Sequence, residues 1–81
     1  MNDAQILEQL KTILHEAFEV APERVTLTTG IFDELDLDSI DAVDLAIKLQ
    51  EMTGKRIKPE DFKNVRTIGD VVATVRALLV A

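Results

Sequence analysis

Eighty-one residues, 47% of them apolar, with nine basic and fifteen acidic side chains, give a net charge of −6. This is the composition of one small globular domain, residues 1–81, with a modest core, and it excludes a disordered chain. The absence of cysteine excludes disulfides, thiolate metal sites and a cysteine nucleophile. The acidic balance argues against nucleic acid as the main partner. With no signal peptide and no apolar run of membrane-spanning length, a cytoplasmic protein is expected.

The first predicted element runs from Asp3 to about Phe18. Ile6, Leu7, Leu10, Ile13, Leu14 and Ala17 recur at helical spacing, with polar residues filling the other side. Asp3 is the expected N-cap. His15 is the only histidine, and no nucleophile or metal partner can be placed beside it, so a surface or partly packed role is expected.

From Glu19 to Asp38 the helical pattern fails. Pro22 suits the first position of a short turn, and Gly30 marks another turn. A connection this long is uncommon in a compact domain, so some of Val25, Leu27, Ile31, Phe32, Leu35 and Leu37 must pin it to the core.

The second helix is expected from Ser39 to Thr53. Asp38 is a good N-cap and Asp41 stands three residues on, where a capping partner belongs. Ser39 therefore falls in the first turn, at the positive end of the helix dipole, where a phosphate on its hydroxyl is well placed. The flanking aspartates repel such a phosphate, so their role is display to a positively charged partner. Two apolar stripes run along this helix. Ala42, Leu45, Ala46, Leu49 and Met52 form the broader one, assigned to the core. Ile40, Val43 and Ile47 form the other, assigned to recognition or to lining a cargo pocket, with Asp41, Asp44 and Glu51 flanking it.

Gly54 ends that helix. Lys55, Arg56, Lys58, Lys63 and Arg66 then make a basic stretch, read as solvated surface. Lys58-Pro59-Glu60-Asp61-Phe62 suggests a short helix with Pro at its first position, seated by Ile57, Phe62 and Val65. The last helix starts at Thr67-Ile68-Gly69-Asp70, a capping-box-like sequence. Its stripe of Ile68, Val71, Val72, Val75, Leu78 and Leu79 is the clearest in the chain. The expected fold is all-α, a four-helix bundle with three main helices, one short helix and a long first loop.

Other chemistries fail on spacing. No Walker loop, zinc spacing or dinucleotide fingerprint appears. An EF-hand starting at Asp36 needs an oxygen ligand, Gly and Glu where the chain has Ile40, Asp41 and Ile47. A Ser/His/Asp hydrolase lacks the nucleophile elbow around Ser39.

The decamer Asp36-Leu37-Asp38-Ser39-Ile40-Asp41-Ala42-Val43-Asp44-Leu45 resembles the attachment site of acyl carrier proteins. In that family Asp-Ser-Leu opens the second helix. Length, acidity and helix order extend the resemblance over nearly the whole chain. It implies that Ser39 carries 4'-phosphopantetheine derived from coenzyme A and installed by a phosphopantetheinyl transferase. It implies a non-enzymatic carrier of acyl thioesters for fatty-acid or polyketide-type enzymes that load, condense and modify the chain. Asp38, Ile40, Asp41, Val43, Asp44 and Ile47 then form the docking face for basic partner surfaces, and a bundle of this kind can shelter an acyl chain. The family has an aromatic anchor before the serine, a role open to Ile31 or Phe32. Asp36 stands where the family commonly has Gly, Ile40 replaces the usual Leu, and Lys48 interrupts a helix that is often uniformly acidic. These departures point to a specialised pathway. A stand-alone aminoacyl or peptidyl carrier, or a helical adaptor that never carries an arm, are the alternatives, and a monomer is expected.

Overall fold

The computed structural model describes residues 2–62 and 64–80. Three helices carry the fold: α1 (Asp3–Phe18), α2 (Ser39–Thr53) and α3 (Ile68–Val80), with 3-10 turns at Pro22–Arg24 and Pro59–Phe62. The short fourth member of the bundle is thus a 3-10 turn, in which the Asp61 N–H donates to the Lys58 carbonyl three residues back at 2.9 Å. Apart from one isolated bridge between Gly30 and Thr67, the described residues hold no β-structure.

Each helix starts on a reciprocal cap. In α1 the cap is Asn2 rather than the expected Asp3: the Gln5 N–H donates to Asn2 Oδ1 at 2.9 Å, and the Asn2 N–H donates to Gln5 Oε1 at 3.0 Å. Only Asn2 has an amide-bearing partner three residues on, so it wins the cap and Asp3 becomes the first helical residue. α2 ends as expected at Gly54, whose φ of 69° is the left-handed conformation glycine adopts without a Cβ clash.

The core is aliphatic apart from Phe62. Ile6, Leu10 and Leu14 of α1 meet Leu45, Ala46 and Leu49 of α2 and Ile68, Val71, Val72 and Val75 of α3. Each large side chain buried this way contributes about 1.5–3 kcal/mol. Leu7, Ile13, Met52, Leu78 and Leu79 pack around the edge, while Ala17 is exposed. Ile57, Phe62 and Val65 seat the segment after α2, as expected.

The long first loop is not slack. Val20, Val25, Ile31, Leu35 and Leu37 are buried, and Ile31, 2% exposed, fills the anchoring role, while Phe32 is 40% exposed. The loop is also stitched to the start of α3. Ile68 N–H donates to the Thr29 carbonyl at 2.9 Å, Gly69 N–H to the Leu27 carbonyl at 2.8 Å, and Ile31 N–H to the Arg66 carbonyl at 2.9 Å. The first two donors belong to a helix start, where the helix itself offers no acceptor.

Asp70 completes the α3 cap. Its Oδ2 accepts the N–H of Arg66 at 3.0 Å and of Thr67 at 3.1 Å, while its own N–H donates to Thr67 Oγ1 at 3.2 Å. The Arg66 and Thr67 backbone donors hold the Asp70 carboxyl below its ordinary range. A folded value below the unfolded one of about 3.9 means the stabilisation is complete above that value and lost as pH falls through the folded value. Asp70→Ala should therefore lower the thermal midpoint at neutral pH, and the gap to the parent should close as the pH is taken below about 4. A gap that stays constant down the acid limb in a pH series of melts refutes this.

Candidate functional site

Ser39 opens α2 and is exposed. Asp38 Oδ1 accepts the Asp41 N–H at 2.9 Å, and Asp41 Oδ2 accepts the Asp38 N–H at 3.2 Å. The capping box at the heart of the site is therefore formed. It also divides the four donors that a helix start leaves over. Those of Asp38 and Asp41 are taken by each other's carboxylates. Those of Ser39 and Ile40 have no protein acceptor among the described residues. A hydroxyl and two unpaired N–H groups thus share one rigid helix end, which fits a phosphodiester carried on Ser39 Oγ.

The two stripes of α2 separate as expected. Leu45, Ala46 and Leu49 are buried, and Ala42 and Met52 lie partly buried beside them. Ile40, Val43 and Ile47 are 76%, 40% and 51% exposed. They form an open apolar stripe on the solvent side of the helix. Asp41 and Asp44 are half-exposed beside it. Uncovered aliphatic surface on a helix is worth about 25 cal/mol per Å² once a partner removes it from water.

Two features of the approach to Ser39 escape sequence reasoning. Asp36 has φ 57°, in the left-handed region. Glycine adopts this conformation without a Cβ clash, and Asp is among the side-chain-bearing residues that tolerate it. Asp36→Gly should stabilise the fold by up to about 1 kcal/mol and Asp36→Val should destabilise it by about 1–2 kcal/mol. Urea titration of the three proteins checks this, and equal midpoints for Gly and Val refute it. The second feature is a clamp. The Arg24 guanidinium donates to the Glu34 carbonyl, while buried Thr29 donates its hydroxyl to the Arg24 carbonyl at 2.7 Å and accepts the Thr26 N–H at 2.9 Å. These bonds hold the acidic turn before the serine. A threonine-rich loop segment carries no periodicity that announces them.

The basic stretch lies at the other end of α2. Lys55, Arg56 and Lys58 are exposed and border an open depression of about 790 Å³ with Gln50 and Ile57. Lys63 lies outside the described residues. His15 is exposed at the end of α1, its Nδ1 3.3 Å from the Val20 carbonyl oxygen, as suits a peripheral residue. No helix of the described residues is long and apolar enough to cross a membrane.

The described residues thus form a small helical unit with an exposed serine on a capped helix end beside an open apolar stripe. Residues 8–75 fit the family model described as phosphopantetheine attachment site. The chain is 62% identical over 81 residues to "Acyl carrier protein 2" of Ralstonia nicotianae, covering all of both chains. It is 32% identical to an acyl carrier protein of Rhodococcus erythropolis, over 91% of this chain and 81% of that one. It is 35% identical to the meromycolate extension acyl carrier protein of Mycolicibacterium aurum, over 91% of this chain and 76% of that one. The chain belongs to the acyl carrier protein family. It therefore contains an attachment site for phosphopantetheine and carries acyl groups without catalysing their chemistry. Membership also brings interaction with a phosphopantetheinyl transferase and with biosynthetic enzymes.

Proposed function

We propose that Ser39 is the residue that bears 4'-phosphopantetheine and that Asp38, Ile40, Asp41, Val43, Asp44 and Ile47 form the docking face. The observation that carries this reading is the exposed Ser39 at the first position of α2, inside the Asp38–Asp41 box and beside two N–H groups that have no acceptor among the described residues. A phosphopantetheinyl transferase joins the Ser39 oxygen to the phosphate of coenzyme A nearest the pantetheine, releasing adenosine 3',5'-bisphosphate. The arm supplies the terminal thiol that holds an acyl group as a thioester.

The protein's own residues do the rest. The helix end stabilises the phosphodiester. The rigid box fixes where the arm leaves the surface. Aspartates on the face steer basic enzyme surfaces to it, and Ile40, Val43 and Ile47 hold the register. A small face of this kind gives the weak binding that sequential exchange between enzymes requires, and the tethered arm raises the local concentration of the acyl group. The cargo is an acyl chain of fatty-acid or polyketide type, in keeping with the similarity to meromycolate extension carriers. The protein acts as a monomeric single-domain carrier in the cytoplasm.

The test is intact-mass measurement after incubation with coenzyme A, magnesium and a broad-specificity transferase. The expected result is gain of one phosphopantetheine by the parent chain and none by Ser39→Ala. No gain in folded, initially unmodified protein, with a control carrier modified alongside, overturns Ser39 as the attachment residue.

A further inference from the structure

The one cation of α2 is already engaged. Lys48 Nζ lies 3.7 Å from Asp44 Oδ1, one helical turn back, and the two side chains are 36% and 50% exposed. Asp44 follows Asp38 and Asp41 along the acidic start of the helix, and Lys48 directly follows exposed Ile47. Lys48 also lines the groove between α1 and α2, with Ile13 and Met52. Lys48 therefore interrupts the acidic line of Asp41, Asp44 and Glu51, about 14 Å from Ser39 along the helix axis.

We propose that Lys48 is a selectivity residue for docking. It occupies Asp44, so a uniformly basic partner surface must displace an ammonium group and meet its repulsion. A partner that brings its own carboxylate to Lys48 frees Asp44 for a basic residue and gains both contacts. The proposal rests on the reading of α2 as the docking helix. The pair is exposed and weak enough to open on encounter, which is what an exchangeable contact requires. Neither side chain belongs to the buried core, to which this helix contributes Leu45, Ala46 and Leu49.

The experiment measures the dissociation constant between a broad-specificity phosphopantetheinyl transferase with a basic docking surface and this chain. A Ser39→Ala background keeps the docked pair from reacting. Adding Lys48→Ala should tighten binding about three-fold at low ionic strength, the size of effect one exposed charge has at an interface rim. High salt should remove the gain. In an Asp44→Asn background the gain should fall to about half or less, because the carboxylate that Lys48 occupies is gone. Unchanged or weaker binding on Lys48→Ala overturns the proposal, as does an undiminished gain with Asp44→Asn. Absence of measurable binding by the Ser39→Ala chain also overturns it, whereas the carrier reading is decided separately by the mass gain of the parent.

Discussion

Ser39→Ala is expected to take up no phosphopantetheine while folding like the parent. Loss of uptake is complete rather than partial because the substitution removes the oxygen that forms the new bond, and no neighbouring hydroxyl can stand in. The nearest following hydroxyl in the chain is that of Thr53, at the last residue of α2, and it donates to the Leu49 carbonyl at 2.9 Å. Stability should change by less than about 0.5 kcal/mol, as for an exposed position away from special features. The Ser39 side chain is exposed and takes no part in the Asp38–Asp41 box that starts the helix. Intact mass and thermal denaturation on the same samples check both halves. Mass gain by the variant moves the attachment site elsewhere. Loss of uptake with a collapsed melting transition leaves only an unfolded protein, and contradicts the surface role of Ser39.

Gly69→Ala should have the opposite profile, a large loss of stability. A Cβ built on Gly69 falls 2.7 Å from the Leu27 carbonyl oxygen, a backbone atom that cannot swing aside. Relief requires the loop to move away from α3, which breaks the bond from the Gly69 N–H to that carbonyl and strains the neighbouring bond from Ile68 to Thr29. Alanine's better helix propensity returns at most about 1 kcal/mol. Overpacking costs about 1–3 kcal/mol, and the disturbed backbone pairing adds about 1–3 kcal/mol more. The clash wins, for a net loss of about 2 kcal/mol and a fall of roughly 10 °C in thermal midpoint. Gly30→Ala is the control. The nearest atom to its added Cβ is Asp33 Cβ at 3.5 Å, ordinary contact, so its effect should stay within about 0.5 kcal/mol. Equal midpoints for Gly69→Ala and the parent refute the close-packing argument.

These two positions show what could be read in the chain. Ser39 was legible because capping and helical periodicity are local. Asp38 and Asp41 stand three residues apart and satisfy each other within a single turn, so the helix start and the serine's exposure follow from the sequence. The opposed stripes of α2 were legible for the same reason, down to which one is buried. Gly69 was legible only as part of a cap. Its real constraint is a carbonyl contributed by Leu27, far back in the first loop.

The three long helices, their caps at Asp38 and Thr67, the stop at Gly54 and the serine at the head of α2 are thus determined by the sequence itself. Each depends on partners within about one helical turn. The course of residues 19–38 was decided by tertiary structure. Choosing Ile31 over Phe32 as anchor and stitching Leu27, Thr29 and Ile31 to the start of α3 require that start to be in place. Hydrogen bonds between a loop and a distant helix end leave no period in the sequence, because what they satisfy is the geometry of two backbones brought together by a core that neither segment encodes alone.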